Sequence, residues 1–219
     1  MNSSASDARS YVSPLRAEQT ALTQHRIIEA GYVLFIERGY GATTMAEIAK
    51  TAQVSTQTVY NTFGSKAALL KRIYDVRLVG DDLPIPLAKR PHVVAMYADP
   101  DAARFLQAYA RLGVELMERL GPLLVAVTAG AGAGDADLVA HLRTIDGERL
   151  VGATMVARRA NELGALRSEL SVERAADIVW TLNSVEVWEL LTGRRGWSTA
   201  DYEGWLGNSL CSGILAEPM

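Results

Sequence analysis

Two amide side chains four residues apart, Gln57 and Asn61, share one face of any helix that contains them. An amide offers a donor and an acceptor together, which is what the N6/N7 edge of adenine requires in the major groove of DNA. Hydroxyls surround the pair: Ser55, Thr56, Thr58 and Tyr60, with Thr44 upstream and the Lys66 ammonium downstream. Hydroxyls and an ammonium at helix N-termini suit phosphate oxygens, because free backbone N–H groups and the positive end of the helix dipole converge there. The set therefore reads as a nucleic-acid interface, with Gln57 and Asn61 distinguishing bases and Thr44, Tyr60 and Lys66 holding the backbone.

Such side chains work only if short helices hold them over a small core. From about Glu18 the residues Ile27, Ala30, Gly31, Leu34 and Phe35 recur at three and four positions, predicting a first helix that stops at Gly39-Tyr40-Gly41. Thr44-Met45-Ala46-Glu47 has the form of a capping box and opens a second helix to about Ala52. After Gln53-Val54, Ser55 caps a third helix through Phe63, and Gly64-Ser65 breaks and caps again before a fourth from Lys66 to about Leu78. Two short helices across a tight turn, the second polar at its front, form a helix-turn-helix pattern. Its inner seam is Ile48, Ala49, Val54, Val59 and Phe63 against Ile27, Leu34 and Phe35.

The ordered series Thr44-Met45-Ala46-Glu47-Ile48-Ala49, Val54-Ser55, Thr58-Val59-Tyr60, Phe63 and Ser65-Lys66-Ala67-Ala68-Leu69-Leu70 resembles the N-terminal signature of tetracycline-repressor-like (TetR) transcriptional regulators. The resemblance runs from about Ile27 to Leu70. It implies a three-helix DNA-binding domain, a connecting fourth helix, and a divergent helical domain that binds a small molecule and dimerises. It also implies phosphate contacts at Thr44, Tyr60 and Lys66, and repression as the usual output. Where members commonly carry glycine in the turn, this chain has Gln53, so a left-handed backbone there costs about 1 kcal/mol.

Pro84, Pro86 and Pro91 exclude one continuous helix between Val79 and His92. A junction there divides the chain into a flexible N-terminal arm (1–17), a helix-turn-helix domain with its connecting helix (18–80), and a helical effector-binding and dimerisation domain (81–219). In the last, helical spacing covers Asp101 to Leu120, Gly121-Pro122 suggests a bend and new start, and Ala129 to Gly134 reads as an Ala/Gly link. Further helices are expected from about Asp137 to Thr144 and Gly147 to Leu163, then two capped by Ser171 and Ser198 and ending near Thr192 and Ala216. Strand alternation is scarce, so the expected fold class is all-α: a three-helix helix-turn-helix domain followed by a larger helical body. Ile178, Leu182 and Val185, with Trp205, Leu206 and Leu210, are the expected homodimer contact, and a two-fold pair of reading helices matches a palindromic operator. Met96, Phe105, Tyr109, Leu112, Met117, Met155 and Trp180 are candidates to line an apolar effector pocket, with ordinary core packing as the alternative for each.

The 219 residues, 49% hydrophobic and 21% charged, have the length for a real core and lie far from disordered composition. The net charge of −3 argues against a simple polyanion binder, but residues 1–78 hold nine Lys/Arg against six Asp/Glu and the remainder thirteen against nineteen. Positive charge thus gathers at the reading end. A single cysteine, Cys211, and the lack of zinc-site spacing give no expectation of a disulfide, a metal or another cofactor. His25, His92 and His141 are scattered without a nucleophile pattern, so an enzyme is not expected. Neither a signal-type run nor a bilayer-length apolar run is found, so a cytoplasmic protein without a membrane partner is expected. The expected function is a sequence-specific DNA-binding regulator, a repressor released from its operator by a small-molecule effector. The alternatives are a helical interaction or ligand-binding module that no longer reads DNA, and an enzyme with an apolar pocket.

Overall fold

The computed structural model describes residues 14–216 apart from 82 and 84, and its regular elements are all helical. The first four helices are α1 (Pro14–Arg38), α2 (Met45–Thr51), α3 (Thr56–Phe63) and α4 (Lys66–Val79). Helix α1 starts four residues before Glu18, at a proline, whose missing N–H costs nothing in a first turn. Residues 1–13 of the expected arm lie outside the described residues. The capping box at Thr44 is formed in both directions: the Thr44 hydroxyl accepts from the Glu47 N–H and the Glu47 carboxylate accepts from the Thr44 N–H. Helix α2 ends in a Schellman motif, in which the Gln53 N–H reaches the Lys50 carbonyl and the Val54 N–H the Ala49 carbonyl. That motif requires a left-handed residue, and Gln53 supplies it at φ +57°.

The body contains α5 (Pro91–Ala98), α6 (Ala102–Gly132), α7 (Ala136–Glu162), α8 (Val172–Leu182), α9 (Val185–Trp188) and α10 (Thr199–Ile214). Of three breaks expected from glycine and proline, two are not made and the third is shortened to residues 133–135. Helix α6 continues through Gly121-Pro122: the Trp188 ring lies where a Gly121 side chain would be, and Leu120, Leu123, Leu124 and Val127 are buried around it. An internal proline costs about 3 kcal/mol, whereas burying each large aliphatic side chain contributes roughly 1.5–3 kcal/mol. The Ala/Gly run is helical to Gly132, and Gly130 makes room for Leu138 of α7. Helix α7 is continuous across Asp146-Gly147, its first half buried through Leu138 and Ile145 in one core cluster and its second through Ala153, Val156 and Ala160 in another. Conversely, the helix capped by Ser171 breaks at Asn183, and Ser184 caps α9. The Arg149 guanidinium takes the freed carbonyls of Trp180 and Asn183 at 2.8 and 3.0 Å, which makes the break affordable.

The proline-rich crossing is pinned by Arg90, whose guanidinium makes two parallel bonds to Asp81 at 2.7 and 2.8 Å and a third to the Ile85 carbonyl. Packing does not stop there. One apolar cluster joins Ile27, Phe35, Ile48, Val59, Leu69 and Ile73 of the first four helices to Leu120, Leu123, Leu138 and Ile145 of α6 and α7. A second cluster lies among α5, α6, α7, α8 and α10, with Phe105, Val156, Val179, Tyr202 and Leu206 inside it. Among the described residues no helix is long and apolar enough to cross a membrane.

Two consequences can be measured. Gln53→Gly relieves a left-handed side chain without altering the turn, so urea denaturation should show about 1 kcal/mol of added stability. His141 of α7 is buried against α4, its ring edge-on to Tyr74 and its Nε2 without a partner. Burial first, then the Lys71 ammonium, holds its pKa below the ordinary 6.5, with Asp75 opposing. The folded chain thus disfavours the proton that the unfolded chain accepts. Its stability contribution is complete above pH 6.5 and is lost as pH falls through the depressed folded-state value. The urea midpoint should drop across that window in the parent and drop less in His141→Gln.

Candidate nucleic-acid interface

Helix α3 is short, and its orientation follows from one side chain: Val59 is fully buried, which turns Gln57, Tyr60 and Asn61 outward. The Gln57 amide donates to the Asn61 Oδ1 at 2.7 Å, so the two amides stand together on the exposed face as the four-residue spacing predicts. Tyr60 is 47% exposed. Ser55 caps the helix by accepting from the Thr58 N–H at 3.0 Å, and the two hydroxyls are 2.7 Å apart. Thr56 and Thr58 are half-buried at the same end. Thr44 is exposed, with its hydroxyl donating to Glu47 at 2.8 Å, and Glu47 in turn pairs with Arg38. The backbone hydrogen bond and then the hydroxyl bond from Thr44 hold the Glu47 carboxyl below its ordinary pKa.

Lys66 occupies a different place from a side chain waiting in solvent. Its ammonium donates to the carbonyls of Tyr40 and Thr43 at 2.8 and 3.1 Å and lies 4.1 Å above the Tyr40 ring. One of its three protons remains for another acceptor. The residues beneath it were not singled out by spacing. Tyr40 is buried, and its hydroxyl donates to Asp137 in the first turn of α7 at 3.0 Å. Burial, followed by the Asp137 carboxylate, pushes that phenol well above its ordinary pKa. Thr43 is also buried, its hydroxyl directed to the Leu34 and Gly39 carbonyls. An aromatic residue between two glycines was the available signal for Tyr40.

Behind α4 lies a cavity of about 210 Å³. Of the residues named from the sequence, Met96, Tyr109, Leu112, Met117, Met155 and Trp180 line it and Phe105 does not. The Phe105 ring is fully buried and packs on Tyr97 at 5.2 Å, in the core behind the cavity wall. Tyr74 and Leu78 of α4 also contribute to the lining. Among the expected dimer residues, Ile178, Leu182 and Trp205 remain partly exposed. Val185, Leu206 and Leu210 do not: they are buried within this chain, which removes them from a partner's reach. The α10 stripe of Tyr202, Leu206, Leu210 and Ile214 packs inward in the second core cluster. Apolar spacing reports burial but not whose surface does the burying.

Residues 27–73 match the model of bacterial regulatory proteins of the tetR family. The HTH-type transcriptional regulator YdeS of Bacillus subtilis (strain 168) is 28% identical over 159 residues, 72% of this chain and 74% of that protein. A TetR-family transcriptional regulator from Rhodococcus sp. superposes with a TM-score of 0.69 at 16% identity, over 90% of this chain and 100% of that one. A transcriptional regulator from Saccharomonospora viridis in complex with choline superposes at 0.67 and 19% identity, over 90% of this chain and 100% of that one. At these identities the superpositions speak for the fold.

Lys66 joins the α1–α2 turn to α4 through charge-assisted hydrogen bonds, each worth more than a neutral one. Lys66→Met should therefore lower the unfolding free energy by about 2 kcal/mol without any DNA present, read by urea denaturation.

Proposed function

We propose that the chain, whose residues 27–73 match the tetR family of bacterial regulatory proteins, is a DNA-binding regulator of that family, a homodimeric repressor released from a palindromic operator by a small molecule. The observation that carries the reading is the exposed amide pair, Gln57 and Asn61, on the outer face of a helix anchored by a buried Val59. In the major groove, the bond between the two amides is exchanged for base edges, while Ser55, Thr56, Thr58, Thr44, Tyr60 and the remaining Lys66 proton are offered to phosphates. The two-fold axis lies along α8 and α10, where Ile178, Leu182 and Trp205 are the partly exposed apolar side chains.

Release needs a ligand that binds one arrangement of the reading head better than another. Two connections run from the cavity wall to that head. Tyr74 and Leu78 lie on α4, whose Leu69 and Ile73 are in the helix-turn-helix core. Arg149 and Gly152 lie on α7, whose first turn holds the Tyr40 hydroxyl through Asp137. A ligand that shifts α4 against α7 works on both at once, and a change in the spacing of the two heads of a dimer is enough to mismatch a two-half operator. The choline in the Saccharomonospora viridis complex supports a small organic effector for this architecture, without fixing its type here.

Selection of fragments from the source chromosome, followed by titration at several salt concentrations, tests the reading. Affinity should fall with salt at a logarithmic slope of about 0.9 per phosphate contact. Asn61→Ala or Gln57→Ala should relax preference at particular base pairs by roughly 1–3 kcal/mol while leaving that slope unchanged. Indifference to every chromosomal duplex, or a salt-independent interaction, would instead favour an interaction module.

A further inference from the structure

The polar end of the body cavity is built by two residues that the helix-turn-helix does not involve. Asn183 stands at the break between α8 and α9, its Nδ2 3.2 Å from the Tyr109 hydroxyl. Its Oδ1 is buried with no partner. The amide is seated against Gly113 of α6, where a Cβ would come within 2.7 Å of Oδ1. Tyr109 accepts from the amide, so its own proton is free to be donated. The pair thus holds one acceptor and one donor side by side, and the amide turns out of its seat on Gly113 for a ligand group to reach Oδ1. Turning the amide over exchanges the roles of the two residues and leaves one donor beside one acceptor. A buried amide oxygen without a partner costs about 1–3 kcal/mol, which a matching ligand group recovers.

Charge complementarity narrows the ligand further. The ionised side chains in the wall are Glu148 and Arg149, and both are engaged. Arg149 is held by Asp146 and by the carbonyls of Trp180 and Asn183, and Glu148 pairs with Lys71. Two aromatic rings of the wall already face protein cations, Trp180 under Arg149 at 4.9 Å and Tyr74 near Lys71 at 5.5 Å. The other two rings of the wall, Tyr97 and Tyr109, remain, but its carboxylate, Glu148, is paired with Lys71, so a ligand cation finds no unpaired anion there and a ligand anion no unpaired cation. The remaining lining, with Met96, Met117 and Met155, is polarizable and adapts to a flat ring.

Resting on the reading of this cavity as the effector site, we infer that the effector is a neutral phenol, a single aromatic body whose hydroxyl donates to and accepts from the Tyr109–Asn183 pair. Isothermal titration calorimetry of the full chain, without DNA, would compare 4-propylphenol with 4-propylanisole, 4-propylbenzoate and phenyltrimethylammonium. The phenol should bind at least about tenfold more tightly than each of the others, because a site built to pair a hydroxyl rejects the analogue lacking it. The preference over the anisole should fall to about onefold in the variant that removes the acceptor, Asn183→Leu as the amide stands or Tyr109→Phe with the amide turned over, with anisole affinity retained. If Asn183→Leu does not fold, the phenol-to-anisole ratio of the parent carries the test. Equal binding of phenol and anisole to the parent, a preference that survives both variants, tighter binding of the benzoate or the ammonium, or no binding of the phenol would each overturn the inference. A chain that binds the phenol in this way but ignores every duplex would overturn the DNA-binding reading and leave this one standing.

Discussion

Helix α4 is buried on two sides, and the rest of the molecule is arranged around that constraint. Leu69, Leu70, Ile73, Tyr74 and Val76 are all buried along its length. On one side the helix approaches α1 so closely that a Cβ on Gly31 would lie 2.8 Å from the Ile73 side chain. On the other it closes the cavity with Tyr74 and Leu78. A helix packed this way cannot shift against the body without disturbing the seat of α2 and α3, because close-packed interiors transmit displacement rather than absorb it.

Polar contacts reinforce the same junction from its margins. The Arg119 guanidinium of α6 takes carbonyls of Arg77 and Leu78 at the end of α4, where cationic groups are favoured by the helix dipole. Arg77 turns back to Glu29 at 2.6 Å and covers the Tyr32 ring at 3.7 Å. Lys66 closes the opposite end of α4 onto the turn after α1, and Tyr40 carries the connection on to α7. Nearly all of these partners are distant in sequence, and together they make the helix-turn-helix a continuation of the body's core rather than a bead on a linker.

The exposed face of α3 illustrates how little of a candidate site needs long-range information. Capping residues start α2, α3 and α4, a buried valine orients α3, and an i, i+4 pair brings the two amides together, all within about twenty residues. The left-handed Gln53 is the local exception: the Schellman geometry is kept although the side chain opposes it, because the hydrogen bonds of the turn and the burial of Val59 outweigh a penalty of about 1 kcal/mol. Lys66 was legible as a cation near a helix start, but not as the clasp on two carbonyls, since those carbonyls lie more than twenty residues upstream.

Helix caps, turn chemistry and apolar period are local properties, so the residues alone determined the all-helical class, the helix-turn-helix and the exposed face of α3. Where the residues suggested breaks at Gly121-Pro122 and Asp146-Gly147, tertiary packing decided otherwise, with Trp188 against Gly121 and both ends of α7 buried, while the break in the Ala/Gly run is made but shortened to residues 133–135. The same reason explains the assignment of apolar stripes. Periodicity marks Leu206, Leu210 and Phe105 as buried, and only the assembled helices decide that they are buried by their own chain rather than by a partner or a ligand. The meeting of Tyr109 with Asn183 across 74 residues likewise exists only once α6 and α8 pack, since no local rule relates side chains on helices so far apart in the chain.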